Sequence, residues 1–249
     1  MKNKKLMISI CVVCIVLVRI FTPYLGKPFL IYCSDQNGDE GFHMSGNVKG
    51  MFVYSENEPC IKFIRYCPEL EKIDFVGPFS KSLNLNDVSN PNLKKLHLGG
   101  KCDNWSSLNK CTGLKELRIG YFSGFTTIED ISGLKELETL AIDGGRELSL
   151  NELNELKNIK ELSIYCGDDI NCEDFSQLEK LETLEISTCE KISGLDKMDT
   201  VKSLTLHQSD PEIGNDICGM DSLEEVTVDA RFSEEVENAL REKGVSINY

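Results

Sequence analysis

Hydrophobic residues recur along this chain at a spacing that ordinary amphipathic helices do not produce. The unit is L-x-x-L-x-L. It starts at Val48, Leu70, Leu93, Leu114, Leu137, Ile159, Leu181, Val201 and Leu223, at intervals of 22, 23, 21, 23, 22, 22, 20 and 22 residues. A near-constant period in this range marks a solenoid of about nine to ten short repeats. The last two apolar positions of each unit alternate in and out, as in Leu96 and Leu98 or Leu140 and Ile142, which predicts a short strand. Stacked in parallel, such strands bury one continuous core that no repeat could bury alone.

Two further columns precede each strand. Cys67, Asn90, Cys111, Leu134, Leu156, Leu178, Met198 and Met220 lie three residues before the unit starts. Ile64, Leu108, Ile131, Leu153, Phe175, Leu195 and Ile217 lie six before. Apolar residues every third position predict tight 3₁₀ or short-helix turns across the back of the solenoid. Cys67 and Cys111 occupy slots that other repeats give to Leu or Met, so they read as small buried hydrophobes.

An open solenoid exposes its core at both ends and needs caps. Ser233 precedes an acid-rich first turn (Glu234, Glu235, Glu237), and Arg241, Lys243 and Gly244 close the segment. These are the start and stop signals of a short helix, and Val245-x-Ile247 then reads as a last strand. The cap therefore spans 232–249 within a repeat domain of 47–249. Residues 26–46 are Gly-rich and polar and read as a linker leading into the first repeat. Asp35 to Glu40 begins like a calcium loop, but Glu40 stands where glycine is needed and Gly46 where the bidentate glutamate is needed. No metal site is expected there.

The first 25 residues differ in kind. A basic stub (Lys2, Lys4, Lys5) precedes the apolar run Leu6–Val18, which resumes after Arg19 as far as Leu25. No alanine occurs before Ala141, so the usual small-residue cleavage site is missing. The reading adopted is an uncleaved signal-anchor (residues 1–25) crossing a cell membrane once, with the basic end inside and the repeat domain extracytoplasmic. The alternative is a secreted protein released by cleavage.

The chain carries a net charge of −14. Residues 1–30 hold five basic residues and no acid, which leaves 22 basic against 41 acidic residues in the body, a net of −19. Such a body repels phosphate backbones, so nucleic acid is not an expected partner. Of eleven cysteines, Cys166 and Cys189 fall at nearly matching places after neighbouring strands and are the candidate disulfide.

The stretch Thr127-Ile128-Glu129-Asp130-Ile131-Ser132-Gly133-Leu134 through Leu137, Leu140 and Ile142 resembles the 22-residue repeats of the internalin-like leucine-rich-repeat proteins of bacterial surfaces. Lys191–Leu195 with Val201–Leu206 repeats the theme. The resemblance implies a leucine-rich-repeat solenoid of α/β type. A parallel β-sheet would line its concave face, 3₁₀ or short-helix turns its convex face, and a protein ligand would bind on the concave side. One departure is systematic. The asparagine that the family places eight residues after each start is replaced by Glu56, Pro78, Lys101, Phe122, Gly145, Gly167, Cys189, Ser209 and Arg231. Without that ladder the bends should be less regular.

The candidate ligand-binding residues are the outward strand positions. In the first half these are Phe52, Tyr54, Lys72, Asp74, Lys95, His97, Glu116 and Arg118, with Tyr121 just beyond a strand. In the second half they are Asp143, Glu161, Tyr165, Glu185, Thr205, His207 and Asp229. Mixed charges with aromatics suit a recognition surface. Catalysis is not expected. His97 and His207 stand five repeats apart, on the order of 24 Å at about 4.8 Å per strand, too far to share a metal or a nucleophile. No hydrolase, zinc-protease or nucleotide-loop motif occurs, and no cofactor is implied. The expectation is a non-catalytic, membrane-anchored protein-binding module. A structural scaffold within an envelope assembly is the alternative.

Overall fold

The computed structural model describes residues 30–34, 40–44, 48–54, 64, 67–76, 82–145, 148–187, 191–207 and 213–249. The hydrophobic segment 1–25, the calcium-like loop at 35–39 and Cys189 of the candidate disulfide lie outside them. Among the described residues no helix is long and apolar enough to cross a membrane.

Ten strands stack in parallel. They are β3 (Gly50–Tyr54), β4 (Lys72–Val76), β6 (Lys95–Leu98), β8 (Glu116–Ile119), β9 (Thr139–Gly145), β10 (Glu161–Cys166), β12 (Thr183–Ser187), β14 (Ser203–His207), β15 (Glu225–Val228) and β16 (Ser246–Asn248). Each pairs with the next in register, so Leu96, Leu117, Leu140, Leu162, Leu184, Leu204 and Val226 form one inward row. A second row runs Phe75, Leu98, Ile119, Ile142, Ile164, Ile186, Leu206 and Val228. Both rows are buried, and burying each such side chain stabilises the fold by roughly 1.5–3 kcal/mol. The sequence period thus becomes a sheet one repeat thick, the leucine-rich-repeat architecture that the residues predicted.

The residue opening each unit sits just before its strand and is also buried: Leu93, Leu114, Leu137, Ile159 and Leu181 are all inaccessible. Behind the sheet, 3₁₀ turns at Leu85–Asp87, Trp105–Lys110, Ile128–Ile131, Leu153–Glu155, Cys172–Phe175 and Leu195–Lys197 form the convex side. Short parallel pairs accompany them, β5 (Leu83–Asn84) with β7 (Cys102–Asp103) and β11 (Ile170–Asn171) with β13 (Ile192–Ser193). Cys67 and Cys111 are fully buried, as their columns require. Cys102 and Cys172 are buried as well, and desolvation pushes both thiols up to about 12.

The absent asparagine ladder has a substitute that the sequence reading did not find. One residue before the unit start, Asn92 donates to the Pro68 carbonyl at 2.8 Å and Asn158 to the Lys135 carbonyl at 2.7 Å. Thr200 and Ser222, at the same position, donate to the carbonyls of Leu178 and Asp199. Each reaches the preceding repeat and donates to a turn carbonyl there. Asn90 is buried in the column of Cys67 and Leu134 because both ends of its amide are used, Nδ2 on the Cys67 carbonyl and Oδ1 on the Asn92 N–H.

The C-terminal cap is a helix at Glu234–Glu242, with Ser233 accepting from the Val236 N–H, followed by β16 against β15. The preceding convex turn is a short helix, Gly214–Cys218, where the other repeats have 3₁₀ turns. At the other end, within residues 26–46, β1 (Leu30–Ser34) and β2 (Glu40–Met44) form an antiparallel pair, and β1 also meets β3 at Ser34 and Phe52.

Candidate functional site

The concave face is a grid of three outward columns, because every second strand residue faces away from the core. The first column runs Lys72, Lys95, Glu116, Thr139, Glu161, Thr183, Ser203 and Glu225. The second runs Phe52, Asp74, His97, Arg118, Ala141, Ser163, Glu185, Thr205 and Thr227. The third includes Asp143, Tyr165, Ser187 and His207, and Tyr54 is the last residue of β3. Tyr121 lies in a 3₁₀ turn directly after β8, and Asp229 directly after β15. All the candidate residues therefore belong to one surface or its rim, although they span the full length of the array.

The two halves of this face are organised differently. In the first half the charges neutralise one another. Lys72 bridges Asp74 at 3.0 Å, and Glu116 holds both Lys95 at 2.6 Å and Arg118 Nε at 2.9 Å. His97 Nδ1 lies 3.8 Å from Asp74; burial lowers its pKa and the Asp74 charge opposes that shift. Glu116 titrates below the usual carboxylate range because of the hydrogen bond from Lys95. From β9 onward the outward strand positions hold Asp143, Glu161, Glu185 and Glu225 and no lysine or arginine. Among the described residues none of these four pairs with Lys or Arg. Glu161 accepts from Thr139, Glu185 from Ser163, and Glu225 from Asn248. His207 bonds Asp229 at 3.0 Å and lies 3.8 Å from Glu185.

A cleft of about 250 Å³ opens where the halves meet. His97 and Arg118 stand on one side of it, Asp143 and Tyr165 on the other, with Gly120, Ala141 and Ser163 among its lining. Its depth follows from small residues in the columns. Gly99 and Gly120 follow β6 and β8, where a Cβ on Gly99 would come within 3.0 Å of the Phe75 carbonyl oxygen. Ala141 follows Arg118 in the second column. Asp143 has one buried carboxylate oxygen, Oδ1, with no hydrogen-bond partner, and desolvation raises its pKa.

Exposed aromatic residues gather at the same place. Tyr165 is 45%, Tyr121 57% and Phe122 75% exposed, and Tyr121 and Phe122 make an edge contact with centroids 5.2 Å apart. Phe52, 38% exposed, lies on β3. Sequence reasoning missed Ala141, Ser163 and Phe122. The first two could have been found by aligning the second column and noting where side-chain volume drops. Phe122 was read only as a replaced turn asparagine. Among the described residues no group of three or more His, Cys, Asp or Glu could hold a metal ion.

No protein-family model and no curated protein sequence matches this chain. Solved structures do match. Internalin C2 of Listeria monocytogenes superposes with a TM-score of 0.59 at 18% identity, over 74% of this chain and 82% of its own. An internalin F of the same organism gives a TM-score of 0.41 at 15% identity, over 85% of this chain and 90% of its own. A Bacteroides fragilis protein gives 0.47 at 15% identity, over 82% and 66%. The chain thus has the leucine-rich-repeat fold of internalin C2, as its repeats implied.

Proposed function

We propose that this chain is a membrane-anchored leucine-rich-repeat module that binds a protein ligand on its concave face and performs no catalysis. The observation that carries the reading is the clustering of Tyr121, Phe122 and Tyr165 beside a cleft at mid-array. Solvent-exposed aromatic side chains beside a small concavity are the usual anchors of protein interfaces, where a few residues supply most of the affinity. The anchoring half of the reading is supported by the apolar run within residues 1–25 and its basic stub. Extracytoplasmic placement follows from the positive end remaining inside.

Two experiments test these halves separately. Proteins captured by the wild-type chain are compared with those captured by a variant reversed at Arg118 and Glu161, and by one reversed on the convex side at Glu129. Loss confined to the concave variant supports the reading. Capture that survives concave reversal overturns it and favours a scaffold working through its ends or convex side. For topology, protease is applied to intact cells and the C-terminal end is followed by antibody. Loss of the C-terminal body supports an outward domain; protection until lysis overturns it.

A further inference from the structure

Several acidic residues elsewhere on this sheet are matched by lysines. Along the edge where the strands begin, Glu71 bridges Lys94, Glu138 bridges both Lys115 and Lys160, and Glu182 bridges Lys202, at 2.7–3.2 Å. On the concave face the first half is matched in the same way. The outward positions from β9 onward differ, with four carboxylates and no Lys or Arg partner among the described residues. The cleft lies at the start of this unmatched half. On its other side the Arg118 guanidinium is tied back to Glu116, so it does not neutralise Asp143.

Resting on the concave-face reading above, we infer that this half of the face receives a lysine- or arginine-bearing segment of a protein partner, one cationic side chain of which enters the cleft between Asp143 and Tyr165. The cleft is smaller than the roughly 300–1,000 Å³ of small-molecule pockets, which suits a single side chain better than a free ligand. Ala141 and Ser163 leave room for the aliphatic stem. The Tyr165 ring lines the same cleft and places an aromatic surface beside the charge. The Asp143 carboxylate, in the wall of the cleft, supplies the counter-charge. Beyond the cleft, Glu161, Glu185 and Glu225 continue the complementary potential across the next strands, which raises the encounter rate and orients the segment.

The test uses the full chain in detergent micelles and a labelled 12-residue peptide of alternating arginine and serine, with the matching glutamate–serine peptide as control. Binding is read by fluorescence anisotropy. Asp143→Asn, which preserves shape, and Ala141→Phe, which fills the cleft without changing charge, are each expected to weaken the arginine peptide about tenfold. Glu129→Gln on the convex turn changes net charge as Asp143→Asn does and is expected to stay within about twofold. Thr227→Arg tests the face away from the cleft. If Thr227→Arg weakens binding while Asp143→Asn and Ala141→Phe do not, the cleft assignment fails and the concave reading stands. If Asp143→Asn, Glu129→Gln and Thr227→Arg, each of which shifts the net charge by +1, weaken it equally and Ala141→Phe is silent, the attraction is diffuse charge and both fail. Failure of the arginine peptide to bind more tightly than the glutamate peptide also overturns the inference.

Discussion

Leu140 lies in β9, the fifth of the ten parallel strands, fully buried and in register between Leu117 and Leu162. Replacing it with alanine removes three carbons from the centre of the inward row. At about 0.8 kcal/mol per buried methylene the transfer loss is roughly 2.4 kcal/mol. The neighbouring rows are held by strand pairing on both sides and cannot collapse far into the gap, so a cavity contribution adds to this. The expected cost is about 3–5 kcal/mol, within the observed span for buried Leu→Ala changes. Ile247, on the terminal strand β16, is only half-buried, and among the described residues no strand stacks beyond it. Ile247→Ala should cost about 1 kcal/mol, since less area returns to water and the end can relax. Urea titration followed by circular dichroism, with the slope checked for constancy, measures both. A Leu140→Ala cost below about 1 kcal/mol, or one equal to that of Ile247→Ala, would refute the argument that inward rows carry the stability of the array.

Two glycines with left-handed backbones separate conformational strain from collision. Gly194 (φ +74°) would place a Cβ 2.8 Å from Asn171 Oδ1 and 3.0 Å from the Glu173 nitrogen, whereas Gly124 (φ +75°) has open space around it. Gly124→Ala should cost about 1–2 kcal/mol by backbone preference alone, and Gly194→Ala clearly more, in paired thermal melts; equal losses would contradict this. The Glu138 carboxyl is held down to about 2 by hydrogen bonds from Lys115 and Lys160. Its folded value lies below the ordinary 4.5, so its contribution to stability is complete above that pH and disappears as pH falls through about 2. An NMR titration of Glu138 should find the low value and, because the group is exposed, see it rise in high salt; titration near 4.5 at low salt would be the contrary result. Cys102 and Cys172, buried with thiols raised to about 12, should resist alkylation in the native state at pH 8, while half-buried Cys218 reacts before either. Peptide mapping after brief alkylation reads the order, and early labelling of Cys172 would show that the convex turn opens readily.

The repeat is legible in the amino-acid pattern alone, and with it the strands, the inward rows, the burial of Cys67 and Cys111, and the closing helix at Ser233. The reason is physical: in a parallel array every repeat meets the same neighbours, so each column demands the same chemistry and the demand is written at a constant period. The same logic put the candidate surface residues on one face. Features that depend on contrast between neighbouring repeats escaped it. The cleft exists because Gly120, Ala141 and Ser163 fall side by side across strands more than twenty residues apart, and volume missing from a column leaves no periodic mark. The substitute polar ladder of Asn92, Asn158, Thr200 and Ser222 uses three residue types at one position, which no single-residue pattern reveals. Whether an acid is paired is likewise decided by register: Glu138 stands between two lysines at the starts of the adjacent strands, while the carboxylates of Asp143 and Glu161 meet none among the described residues. The tertiary structure alone decided where the surface is neutralised and where it is left open.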